Sequence, residues 1–185
     1  MRTILFIISF FLFVKGEAQL GQPAVSGIKL YTLQGKKFSF NDSEELCVIV
    51  FLSSTCPLSQ KYTLTLNELK KEFNNKAKFY GVFAEAEPVA GEYEEFRKKY
   101  DVQFALLVDP QKQLVKSLAA TVTPEAVVLN KGNLVYHGAI DDWAIELGKT
   151  KKKAAINFVR NAIQCVMTNT TPFPSYTKPI GCFID

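Results

Sequence analysis

Four thiols and one imidazole are the side chains in this sequence best suited to covalent chemistry: Cys47, Cys56, Cys165, Cys182 and His137. An ionised thiol is a nucleophile, a redox centre or a soft-metal ligand. The cysteine spacings match no zinc pattern, and a single histidine is too few for a conventional zinc site. Cys56 stands apart because of its setting. It follows Ser53-Ser54-Thr55 and opens the sequence Cys56-Pro57-Leu58-Ser59. Proline is favoured at the first position of a helix, where its missing N–H would be unpaired anyway. A cysteine at that boundary meets unpaired amides and the positive end of the helix dipole, and both favour thiolate. Two reactions are open to such a sulfur: attack on a disulfide, or attack on a peroxide to give a sulfenic acid.

The elements that must hold this sulfur can be read from hydrophobic patterning. Residues 46–52 form an unbroken apolar run rich in β-branched side chains, the mark of a strand buried on both faces of a parallel sheet. Leu58, Tyr62, Leu66, Leu69 and Phe73 then recur at helical spacing, so the order is buried strand, turn, cysteine, helix. Upstream, residues 19–27 read as an extended lead-in. The segments 28–33 and 37–40 flank Gln34-Gly35-Lys36 and predict a β-hairpin, with Asn41-Asp42-Ser43 as a turn. Downstream, strands are predicted over 78–84 and 104–108, with helices over 91–100 and 111–118. A second hairpin turns at Lys131-Gly132-Asn133 between 126–129 and 134–140. Ile156, Val159, Ile163 and Val166 mark the buried stripe of a last helix over 152–167. The βαβ order calls for parallel strands joined by right-handed crossovers.

The strand–turn–Cys–helix order, with Phe51 at its spacing ahead of Cys56, resembles the thioredoxin-like superfamily. That resemblance implies an α/β three-layer sandwich: a central mixed β-sheet with helices on both faces. The N-terminal β-hairpin resembles the redoxin branch, which includes alkyl hydroperoxide reductases and thiol-specific antioxidant (AhpC/TSA) proteins. Ser59 stands where the second active-site cysteine would be. A Cys-x-x-Ser site cannot close its own disulfide, so a two-electron cycle needs a thiol from elsewhere in the chain or from a partner. The resemblance also implies that Pro124 is cis and lies against Cys56, with the backbone of Thr123 pairing with substrate. Thr55, Pro57 and Ser59 complete the immediate neighbourhood of the nucleophile. If the strand after Pro124 runs away from the active end, its hairpin partner returns to it and brings Asp141-Asp142 near Cys56. Asp141 is then either a proton acceptor for the attacking thiol or a cap for the next segment.

A second resemblance covers roughly residues 24–184. Gly138-Ala139-Ile140-Asp141-Asp142, Leu147-Gly148 and the ending Gly181-Cys182-Phe183-Ile184 are similar to exported redoxin-domain proteins with a Gly-x-Ile-Asp-Asp motif and a Gly-Cys-x-Ile tail. The tail from Thr170 carries Pro172, Pro174 and Pro179, which favour extended backbone. At about 3 Å per residue it can span on the order of 40 Å, enough to return to Cys56. Two pairings therefore compete. Cys182 resolves Cys56, or Cys165–Cys182 staples the tail and leaves Cys56 alone. The resemblance favours the first, while Cys47 sits inside the buried strand and reads as inert.

Composition narrows the remaining possibilities. The 185 residues, 48% hydrophobic, suffice for one domain with a sizeable core. Residues 1–18 have a basic start, an apolar stretch and small residues at 16 and 18, which reads as a secretory signal peptide cut after Ala18. The domain then covers 19–168 and the tail 169–185, in a periplasmic or extracellular setting where disulfides persist. Twenty basic against seventeen acidic residues leave the mature chain at +3, a weak balance that points to neither nucleic acid nor a membrane surface. The basic run 149–153 reads as a solvated loop or helix start. Asn41-Asp42-Ser43 and Asn169-Thr170-Thr171 are glycosylation sequons. The leading function is thiol–disulfide exchange with a protein or small-molecule substrate and an external thiol reductant, with no cofactor and no resident metal. A peroxidase is the second expectation: Ser53 occupies the Ser/Thr position of a Pro-x-x-x-Thr/Ser-x-x-Cys cradle, but Ile49 replaces its proline, and neither Arg97 nor Arg160 is expected near Cys56. A non-catalytic copper(I) protein using Cys56, Cys182 and His137 is the third.

Overall fold

A computed structural model describes residues 25–40, 46–85 and 91–184. The expected signal peptide, the start of the lead-in and the Asn41-Asp42-Ser43 turn lie outside the described residues. The sheet is centred on β3 (Leu46–Leu52), every residue of which is buried. On one side β3 pairs in parallel with β4 (Lys78–Phe83), which pairs in parallel with β5 (Ala105–Val108). On the other it pairs antiparallel with β7 (Glu125–Asn130), which turns back into β8 (Asn133–Gly138). The hairpin of β1 (Leu30–Thr32) and β2 (Lys37–Phe38) continues the sheet beyond β5. The sheet is therefore mixed, as expected.

Alternation along β3 divides the core. Val48, Val50 and Leu52 pack with Leu58, Tyr62, Leu66 and Leu69 of α1 (Pro57–Glu72) and with Val159, Ala162 and Ile163 of α4 (Phe158–Met167). Tyr93 and Phe96 of α2 (Glu92–Lys99) join the same layer. Cys47, Ile49 and Phe51 pack instead with Leu114, Val115 and Leu118 of α3 (Gln113–Leu118). Helices thus cover both faces, and Cys47 is confined to the layer opposite Cys56.

Two expectations fail in the C-terminal third. The last helix begins at Phe158, not near residue 152. Asn157 caps it by accepting from the Arg160 amide at 2.8 Å, and Ile156 is largely exposed. The preceding basic run instead enters a hairpin of β9 (Ala144–Glu146) and β10 (Lys149–Thr150), and Lys151 pairs with Asp142. The tail is also more than an extended strap. It adds β11 (Tyr176–Thr177) to the sheet, parallel to β8, and then β12 (Cys182–Phe183) against β6 (Val122–Thr123). Gly138, at φ +133, meets β11 so closely that a Cβ there would lie 2.8 Å from the Thr177 carbonyl carbon.

Candidate active site around two thiols

Cys56 occupies the N-cap of α1, with Pro57 as the first helical residue, and its carbonyl accepts the Gln60 amide at 3.1 Å. The side chain is 2% exposed. Ser59 is buried, and its hydroxyl accepts the Ser53 amide at 3.2 Å, tying down the turn that presents the cysteine. Thr55 meets the Ser53 hydroxyl at 3.1 Å on the same turn.

Opposite lies the Thr121–Pro124 segment, with a cis Thr123–Pro124 bond. The Cys56 thiol donates to the Thr123 carbonyl at 3.1 Å. Glu125, at the head of β7, holds this segment in shape. Its Oε2 accepts the amides of Thr121 at 2.7 Å and Val122 at 3.0 Å, while Oε1 meets His137 Nε2 on β8. Burial opposes ionisation of Glu125, but the His137 contact and the two amides outweigh it and hold its carboxyl below the usual range.

The second thiol arrives from the far end of the chain. Cys182 pairs in register with Thr123, the Ile184 amide donates to the Thr121 carbonyl at 3.1 Å, and Cys182 Sγ lies 2.8 Å from Cys56 Sγ. Gly181 permits this approach. A Cβ there would sit 2.6 Å from the Thr123 carbonyl carbon and would collide with its oxygen. Cys165, near the end of α4, is partly exposed and does not take part in this contact.

Electrostatics divide the two sulfurs. Burial disfavours the Cys56 thiolate, yet the Cys182 S–H and the amides of Ser59, Cys182 and Leu58 more than offset it, so its pKa is lowered. The Cys182 thiol is pushed up to about 11, first by burial and then by the neighbouring Cys56 sulfur. Cys56 is therefore the sulfur of the pair that ionises first, and Cys182 Sγ is placed to donate to it.

Asp141 is buried and bonds elsewhere. It accepts from Tyr62 Oη at 2.6 Å and from the Trp143 amide at 2.9 Å, and burial raises its pKa. Its neighbour Asp142 does the capping, accepting the amides of Ala155 and Ile156 at 2.8 and 2.9 Å. Arg97 pairs with Glu94 and Arg160 with Glu72, each 2.7–2.9 Å apart. Among the described residues no cluster of three or more His, Cys, Asp or Glu side chains could hold a metal ion. The clamp role of Glu125 and the Tyr62–Asp141 bond were missed from sequence. A glutamate heading an apolar strand, with the sole histidine on the partner strand, was the available signal, because a buried charge needs a partner.

Three comparisons bear on this geometry. The family model described as "AhpC/TSA family" matches residues 20–137. No curated protein matches. Among solved structures, a hypothetical protein from Sinorhizobium meliloti 1021 is similar at 19% identity, TM-score 0.72, over 84% of this chain and 88% of that one. An uncharacterised conserved protein from Geobacillus kaustophilus is similar at 20% identity, TM-score 0.70, over 85% and 87%. A thiol-disulfide oxidoreductase from Bacteroides fragilis NCTC 9343 is similar at 18% identity, TM-score 0.52, over 59% and 85%. At these identities the likeness shows the thioredoxin-like fold.

Proposed function

The chain belongs to the AhpC/TSA family, and from that premise we propose that it is an exported thiol–disulfide oxidoreductase with Cys56 as nucleophile and Cys182 as resolving thiol. The observation that carries this reading is the 2.8 Å contact between sulfurs 126 residues apart. A disulfide measures about 2.05 Å, so closing the bond requires a shift of less than about 1 Å. The Cys56 thiolate attacks one sulfur of a substrate disulfide, forming a mixed disulfide and expelling one substrate thiolate. Cys182 then loses its proton and attacks Cys56 Sγ, releasing the second substrate thiolate. Two electrons pass from the protein dithiol to the substrate. Part of what raises the Cys182 pKa is the neighbouring Cys56 sulfur. Forming the mixed disulfide removes that negative charge, so Cys182 becomes easier to ionise at the step that needs its thiolate.

Thr55, Pro57 and Ser59 hold the turn in this reading, and Thr123-Pro124 faces the reacting sulfurs. Asp141 acts through Tyr62 and the 141–143 turn, not on the thiol. Mapping disulfides by mass spectrometry after one equivalent of oxidant tests the assignment. Cys56–Cys182 is expected, and a Cys165–Cys182 bond would overturn it. Cys182→Ser should trap the mixed disulfide on Cys56.

Family membership also favours a second reading, thiol peroxidase, in which Cys182 condenses with a Cys56 sulfenic acid. Ser53 supports it, while the engagement of Arg97 and Arg160 with Glu94 and Glu72 counts against it. Sustained turnover of hydrogen peroxide would favour it over disulfide exchange. Export rests on residues 1–18 acting as a cleaved signal peptide. N-terminal sequencing of the secreted form should begin at Gln19. Among the described residues no helix is long and apolar enough to cross a membrane.

A further inference from the structure

The docked tail covers the edge of the Thr121–Pro124 segment that an extended polypeptide would need. It pairs with Val122 and Thr123, and the passage over Thr123 admits only glycine at position 181. Cys56 is left 2% exposed. Beside it a cavity of about 440 Å³ remains, with Ser53, Thr55, Glu85, Lys112, Thr123 and Cys182 in its wall. Cys56 is not part of that wall, so the sulfur the cavity reaches is Cys182.

Three features of the wall point to a ligand. The Thr123 hydroxyl is buried and has no hydrogen-bond partner among the described residues. Lys112 is half-buried and has no ion-pair partner among the described residues. Glu85 accepts from the Ser54 amide at 3.3 Å and the Tyr93 hydroxyl at 2.9 Å, and makes no ion pair among the described residues. A cationic and an anionic side chain on one small cavity suit a zwitterion. Its carboxylate would meet Lys112 and its ammonium Glu85.

We infer that this cavity receives a low-molecular-weight amino-acid thiol, the external reductant, and that this thiol attacks Sγ of Cys182. The inference rests on the Cys56–Cys182 couple proposed above. In the oxidised protein the incoming thiolate bonds to Cys182 Sγ, the Cys56–Cys182 bond breaks, and Cys56 departs as thiolate. Cys56 is the better leaving group, because the lower-pKa thiol leaves faster. A second molecule of the thiol attacks the sulfur of the first, releasing the small disulfide. Cys182 leaves as thiolate and takes a proton from solvent. Two small thiols are oxidised to one disulfide, and the protein disulfide gains the two electrons.

The test uses the full oxidised chain. It is mixed with limiting cysteine, quenched with an alkylating reagent and mapped by mass spectrometry. The expected product carries cysteine on Cys182 and the alkyl group on Cys56. Cysteine on Cys56 would overturn the inference. Rates per thiolate are then compared for cysteine, cysteamine, N-acetylcysteine and 2-mercaptoethanol. Cysteine should be fastest, exceeding 2-mercaptoethanol by about fivefold, the upper end for a solvent-accessible ion pair. Lys112→Gln should reduce that ratio, and equal rates across the four thiols would refute the zwitterion site. If no Cys56–Cys182 bond forms on oxidation, the proposed function falls and this inference with it. If the bond forms but cysteine appears on Cys56, only the inference falls.

Discussion

Replacing Cys182 with alanine removes the only side chain among the described residues that donates to the Cys56 sulfur, and the consequence can be worked out. A hydrogen bond to a charged group contributes about 1.5–3 kcal/mol. One pKa unit corresponds to about 1.4 kcal/mol, so the Cys56 pKa should rise by roughly one to two units. The amides of Ser59 and Leu58 remain and keep the shift from growing larger. Titration by thiolate ultraviolet absorbance is the proper assay, because it does not depend on reagent access to a buried sulfur. Cys182→Ser, which retains an O–H donor, should recover part of the shift and separate donation from packing. Stability of the reduced protein should respond as well. Cys56 has a depressed folded pKa, so its contribution is present above the unfolded thiol value and is lost as pH falls through the folded one. Cys182 has the opposite sign, and its contribution fades as pH rises towards about 11. In the alanine variant the Cys56 dependence should shrink and the Cys182 dependence should disappear. An unchanged or lowered Cys56 pKa would refute the argument that the tail tunes the nucleophile.

Other perturbations test the framework around the pair. Gly181→Ala should lift β12 from β6 at a cost of about 1–3 kcal/mol, seen as a lower Tm and faster proteolysis of the tail; an unaltered Tm and an intact tail would contradict the close approach. Asp141→Asn preserves an acceptor for Tyr62 and Trp143 while removing a buried charge, so Tm at neutral pH should hold or rise and the alkylation rate of Cys56 should stay within about twofold. A drop of about tenfold or more in that rate would reinstate Asp141 as proton acceptor. Asp142, drawn down to about 2 chiefly by the Ile156 amide and then by Lys151, contributes stability above the usual carboxylate range. That contribution should be lost as pH falls through about 2, and Asp142→Asn should abolish this acid dependence while lowering Tm at neutral pH by about 2 °C or more, because the contribution it removes is present there.

Elements built from local periodicity were legible before any coordinates. The buried run 46–52, the Pro57 helix start and the two hairpins all depend on interactions within a few residues, and patterning encodes those directly. The last helix was misread because Ile156 continues the apolar spacing of α4. The two Asp142 side-chain bonds to the Ala155 and Ile156 amides, and the Asn157 cap, fix the chain outside the helix instead.

By itself the sequence determined that one cysteine opens a helix behind a buried strand, that serine stands four positions into that motif, and that a proline-rich tail ends in Gly-Cys. It left open which sulfur pairs with which, because no local rule states where a strand of two residues will dock. Tertiary structure decided which thiols stand side by side, by steric and electrostatic fit. Gly181 clears the Thr123 carbonyl, Glu125 curls the segment that β12 pairs with, and two thiols 126 residues apart meet at 2.8 Å. A contact across 126 residues depends on the whole sheet being assembled, and only the folded chain brings its ends together.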